Sequence, residues 1–168
     1  MKENLESGFR LLMARYREPV YWHIRRLVVS HDDAQDAAQE TFIRAFRSLW
    51  RFKGECSLGA WIYRIATNEA LRAIERRRGG RVSLDDSDAG AGRLAADGYV
   101  DYSDLEAVKL QNAILSLPTK QQLAFNLRYY DGLEYDEIAA ATGSTATSAK
   151  ANYHVAKEKI IKYMNSTI

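Results

Sequence analysis

Two long stretches with apolar residues at helical spacing, divided by a segment too poor in large apolar side chains to build a core, constrain this chain most. From Phe9 to Arg78 the sole proline is Pro19, and Leu11, Leu12, Tyr16, Val20, Ile24 and Leu27 recur on one helix face. The period returns through Val108, Leu110, Ile114 and Leu117, stops at Pro118, and resumes through Leu123, Phe125, Leu127 and Tyr130. Between Gly79 and Asp104 lie half of the ten glycines and six aspartates, a composition that cannot bury enough apolar surface to offset the entropy of ordering it. No strand alternation or repeat interrupts this pattern, so the class expected is all-α. Two small helical domains, residues 1–78 and 106–168, are joined by a flexible acidic linker at 79–105.

The formal net charge of +2 conceals an uneven distribution. Residues 1–78 carry 15 Lys+Arg against 10 Asp+Glu, residues 79–105 carry 2 against 6, and residues 106–168 carry 7 against 6. Two modules that can approach a polyanion, separated by a linker that would not, fit this pattern, although charge scatter on solvated helices fits it too. One cysteine, Cys56, and three scattered histidines, His23, His31 and His154, offer no disulfide and no metal-ligand spacing, so no metal or cofactor is expected. They also form no cluster of acid, base and nucleophile, which argues against an enzyme. The N-terminus lacks a cationic start followed by an apolar run, and no stretch is long enough to span a bilayer. A cytoplasmic protein without membrane insertion is expected.

Local signals place the helix ends. His31-Asp32-Asp33 reads as a break followed by a helix over about Asp33 to Trp50, with acids where the N-terminal dipole favours them. Ala34, Ala37, Ala38, Phe42, Ala45, Phe46 and Leu49 fall near its buried face, and Asp36, Gln39, Glu40, Arg44 and Arg47 on the other. Phe52 to Ser57 is a glycine-containing loop whose serine can cap a helix from Leu58 to about Arg78. Asp131-Gly132 closes a helix as a turn, and Tyr135–Thr142, Gly143 and Thr145–Met164 have the form of a helix-turn-helix. Gly143 allows the positive φ that such a turn needs, and Ser144 or Thr145 can cap the second helix. On that helix Ala149, Tyr153, Ala156 and Ile160 point inward, leaving Thr147, Ser148, Lys150, Asn152, His154 and Lys157 outward. Such a face can enter a major groove, where Asn pairs with base edges and Lys with phosphates or guanine. A helical hairpin with a solvated polar face would look the same.

Taken in order, DDAQDAAQETFIRAFRSLWRFKGECSLGAWIYRIATNEALRAIERRR is similar to region 2, and LPTKQQLAFNLRYYDGLEYDEIAAATGSTATSAKANYHVAKEKI to region 4, of the extracytoplasmic-function (ECF) sigma-70 factors. The resemblance spans nearly the whole chain. It implies a sigma factor whose partners are core RNA polymerase, promoter DNA and an anti-sigma factor. It assigns Asp36, Gln39 and Glu40 to polymerase docking. It assigns Lys53, Gly54, Glu55, Cys56 and Ser57, with Asn68 and the cations Arg64, Arg72 and Arg76, to the minus-ten element. Opening that element needs a pocket for an unstacked base and cations for phosphates. Thr147, Ser148, Lys150, Asn152, His154 and Lys157 fall to the minus-thirty-five element. The chain departs from the family at Asn152 and Val155, positions often held by arginine. From the residues themselves, Trp61 reads as core and Cys56 as a small loop residue. A stand-alone helix-turn-helix regulator is the alternative, opposed by the Arg-rich first module and the long linker.

Overall fold

The computed structural model describes residues 2–79 and 104–166. Most of the predicted 79–105 linker lies outside these residues. Among the described residues seven α-helices are formed: α1 (Lys2–Val28), α2 (His31–Ser48), α3 (Leu58–Arg77), α4 (Leu105–Leu115), α5 (Thr119–Tyr129), α6 (Tyr135–Thr142) and α7 (Ala146–Met164), with one 3-10 turn at Leu49–Arg51. Among the described residues there is no strand.

Helices α1, α2 and α3 pack against one another as the first module, and α4 to α7 make the second around α7. Small side chains let α2 and α3 approach closely: Ala34, Ala37 and Ala45 face Ala66, Ala70 and Ala73 in a core completed by Val20, Ile24 and Ile62. A second core joins Ile114, Leu117, Phe125, Ala156 and Ile160. The two modules also touch, because α6 packs on α3, and Leu123, Leu127, Leu133, Ile138, Ala141 and Ala149 join the first core.

The helix ends follow local hydrogen-bond chemistry. Ser57 Oγ accepts from Ala60 N at 3.1 Å and Thr145 Oγ1 from Ser148 N at 3.1 Å, so both predicted caps form. Gly143 ends α6 at φ 69°, in the left-handed region as anticipated. The break before α2 falls earlier than expected: Ser30 Oγ accepts from Asp33 N at 3.3 Å, and the helix begins at His31. Val29, just before that cap, takes φ 73°, unusual for a β-branched residue. It is buried against Leu115 of the second module, and that packing holds it there.

Phe46 does not join the buried face of α2. It is 48% exposed and meets Phe9 edge-on at 5.0 Å, because α1 covers only part of the broad apolar stripe. Trp61 is half-buried against the core and paired with Phe52 at 5.2 Å, in keeping with a packing role.

Polar groups inside the first module are mostly paired. Thr41 Oγ1 donates to the Ala37 carbonyl at 2.7 Å, and His23 Nε2 is in hydrogen-bond contact with Thr67 Oγ1 at 2.9 Å. Burial, with a smaller contribution from Arg26, lowers the His23 pKa to about 3. In the unfolded chain His23 titrates at its ordinary 6.5, so the unfolded state binds the extra proton first. The contribution of neutral His23 is therefore complete above pH 6.5 and is lost as the pH falls from there towards 3. Urea titrations of wild type and His23→Gln at pH 7 and pH 5 test this. Wild type is expected to lose about 2 kcal/mol more than the variant over that interval, from about 1.4 kcal/mol per pH unit.

Candidate nucleic-acid interface

The helix-turn-helix is built by α6, Gly143 and α7. Glu134 and Glu137 form a reciprocal capping box that fixes the start of α6. Tyr153 stacks on Phe125 at 6.0 Å and 14°, which orients α7 on α5. Thr147, Ser148, Lys150, His154 and Lys157 are exposed on the outward face, as expected from the period. Asn152 is half-buried, with Nδ2 donating to Ser148 Oγ at 3.5 Å. Lys159 leaves this face to donate to Gln121 Oε1 at 2.9 Å.

The loop before α3 presents Lys53, Gly54 and Glu55 to solvent and half-buries Cys56. Gly54 has φ 78°, and no atom lies within 4 Å of where a Cβ would sit, so glycine serves backbone conformation and open access there. The Glu55 carboxylate accepts from Lys53 N at 3.4 Å, and the Phe52–Trp61 pair braces the base of the loop. Asn68 is exposed on α3, and Arg76 is exposed near its end.

Two of the assigned cations are committed within the protein. Arg64 Nη1 donates to the Ala140 carbonyl at 3.4 Å. Arg72 Nη1 pairs with Glu69 at 2.5 Å, and Arg44 reaches the same carboxylate oxygen at 2.7 Å. Glu69 is almost fully buried, so its charge is balanced by two arginines from two helices, and α2 is tied to α3. Sequence reasoning missed Glu69; a lone acid among Ala66, Ala70 and Ala73 on the inward face of α3 was the available signal.

Asp36 and Gln39 lie together on α2, exposed, along a groove of about 1460 Å³ between α1 and α2. Its floor is apolar, with Phe9, Met13, Phe42 and Ile43, and its rim is charged, with Glu18 and Arg17 opposite Asp36 and Arg47. Glu40 lies outside the groove lining and pairs with Arg44 at 3.2 Å. Two of the three residues that the resemblance assigns to docking thus share one surface.

Among the described residues no group of His, Cys, Asp and Glu is placed to hold a metal ion, and no helix is long and apolar enough to cross a membrane. A three-helix module with an exposed glycine loop, followed by a helix-turn-helix, defines an all-helical protein of the DNA-binding class. The Sigma-70 region 2 family matches residues 12–79, and the Sigma-70, region 4 family matches residues 107–160. The RNA polymerase sigma-H factor of Pseudomonas aeruginosa is 30% identical, over 94% of this chain and 86% of that protein. The ECF RNA polymerase sigma-E factor of Escherichia coli K12 is 33% identical, over 92% of this chain and 85% of that one. The chain belongs to the extracytoplasmic-function subfamily of sigma-70 RNA polymerase sigma factors.

Solved structures share the fold. CnrH in complex with the cytosolic domain of CnrY superposes with a TM-score of 0.72 at 20% identity, covering 97% of this chain and 91% of that one. RpoE in complex with the anti-sigma factor NepR from Bartonella quintana gives 0.75 at 23% identity, covering 96% and 99%.

The Glu69 tie carries a stability prediction. Glu69→Ala removes the shared acceptor of Arg44 and Arg72, each about half exposed at 48%, so solvent screens part of the loss. A cost of about 1–2 kcal/mol is expected in chemical denaturation, below the 3–5 kcal/mol of a fully buried pair.

Proposed function

We propose that region 2, residues 1–78, docks on core RNA polymerase through the α1–α2 groove and Asp36, Gln39 and Glu40 beside it. The linker at 79–105 then lets region 4, residues 106–168, reach DNA upstream. A groove with an apolar floor and a rim of both charge signs suits a helical partner with apolar knobs and basic flanks. The observation that carries the reading is the occurrence of both sigma families, in order, on two modules of one chain.

Within that reading, Lys53 to Ser57 and Asn68 hold the opened minus-ten strand, with Arg76 available to phosphates, and Arg64 and Arg72 once their internal bonds are exchanged. Thr147, Ser148, Lys150, Asn152, His154 and Lys157 read the minus-thirty-five duplex, the lysines gripping phosphates and Asn152 a base edge. The protein acts by binding in the cytoplasm, and the polymerase supplies the chemistry. An anti-sigma protein is its regulator, a reading supported by the anti-sigma factor named as the partner of RpoE.

Size-exclusion chromatography with bacterial core polymerase tests the docking surface. Wild type is expected to co-elute, and a Gln39→Ala, Glu40→Ala double variant to bind on the order of tenfold more weakly, equivalent to about 1.4 kcal/mol. Failure to bind core polymerase, with retained retardation of duplex DNA, would instead make the chain a stand-alone regulator.

A further inference from the structure

The most exposed tryptophan of the chain stands beside the loop assigned to the minus-ten element. Trp50 is 65% exposed, in the 3-10 turn Leu49–Arg51 that joins α2 to that loop. Trp61, by contrast, is half-buried against the core and paired with Phe52, and Trp22 is 38% exposed beside Tyr21. Tryptophan is highly buried on average, because its large apolar surface favours leaving water, so a ring displayed to this extent is informative.

The ring is held as well as displayed. Its Nε1–H donates to the Arg47 carbonyl at 2.9 Å, and the Arg51 guanidinium lies over it, 5.0 Å from the ring centroid. The turn is closed by Phe52 N, which donates to the Leu49 carbonyl at 3.1 Å, and the Phe52–Trp61 pair anchors the following residue on α3. The indole N–H is thus satisfied within the chain, and what it offers a partner is a flat face of the ring with a guanidinium on the other side. A ring fixed before binding also loses less rotamer entropy when it binds.

The surroundings select the chemistry of that partner. From Thr41 to Gly54 the chain carries four cations, Arg44, Arg47, Arg51 and Lys53, and no acid. All four are exposed. Arg44 is tied to Glu40 and Glu69, whereas among the described residues no carboxylate pairs with Arg47, Arg51 or Lys53. An apolar knob from a protein would have to dehydrate these charges, but a nucleotide brings a π face for the indole and a phosphate for the cations. Trp50 lies three residues before Lys53, a backbone reach of no more than about 11 Å, which puts the ring within range of bases flanking any held by the loop.

We propose that Trp50, backed by Arg51, is a stacking platform for one unpaired base of the opened promoter strand, beside those taken by the Lys53–Ser57 loop, with Arg47 and Lys53 on the flanking phosphates. This deepens the minus-ten reading and rests on it. Stacking on an indole tolerates every base, so the platform adds affinity for opened over closed DNA and no letter to the recognised sequence.

The test uses the full chain bound to bacterial core polymerase and a duplex with a pre-opened bubble, enriched from a random library on the wild-type complex. Abasic sites are placed one at a time along each strand of the bubble, and binding is measured for wild type, Trp50→Ala, Trp50→Phe and Asn68→Ala. At one position, removal of the base is expected to weaken wild type about tenfold, the scale of one stacked base, and to leave Trp50→Ala unchanged. Trp50→Phe, with a smaller ring, is expected to fall between them. If no position has a cost that depends on Trp50, the platform is overturned. Asn68→Ala then separates the two failures: a base whose removal costs wild type but not Asn68→Ala leaves the minus-ten reading standing, and the absence of such a base removes it as well. Loss of co-elution with core polymerase in Trp50→Ala, at unchanged helix content by circular dichroism, would also overturn the platform, because Trp50 would then be a polymerase contact.

Discussion

Helix α3 is packed on two sides, and the rest of the architecture depends on that. Towards α1 and α2 it offers Ala66, Ala70 and Ala73, so three helices approach closely around Ile24 and Ile62. On another side Ser57, Tyr63 and Arg64 bond to the second module, and Asn68 faces it across a groove. A helix that displayed only an apolar stripe could not serve both neighbours. Because alanine buries little area per residue, polar ties carry an unusual share of the register. His23 with Thr67 fixes α1 on α3, and Glu69 with Arg44 fixes α2 on α3.

The groove between α1 and α2 is open in the same arrangement in which α6 packs on α3. A polymerase surface can therefore engage Asp36 and Gln39 before the modules part, and its binding energy can then be spent on separating them.

Features set by local chemistry were legible in the sequence. The caps at Ser57 and Thr145, the left-handed Gly143 and the turn at Asp131-Gly132 each depend on a few neighbouring residues, and each appears where composition placed it. The outward faces of α2 and α7 were equally readable from the 3.6-residue period. What escaped was everything that depends on a partner far along the chain. Phe46 satisfies the buried period of α2 yet lies beyond the reach of α1. Arg64 and Arg72 read as free cations, but their partners Ala140 and Glu69 become visible only when the helices are stacked. Asp131 read as a turn residue, and its carboxylate is also a seam contact to Tyr63, 68 positions away in sequence. Helical periodicity identifies which face is buried but carries no information about which helix buries it.

The most direct test of this account is the distance between spin labels carried by non-canonical residues at Glu75 on α3 and Glu158 on α7, both exposed, read by pulsed electron resonance with and without core polymerase. The account predicts one short distance, matching the packed modules, in the free protein, and a longer one when polymerase is bound. An unchanged distance in the complex would contradict it, because the minus-ten and minus-thirty-five surfaces would then still be turned towards each other while the polymerase was engaged.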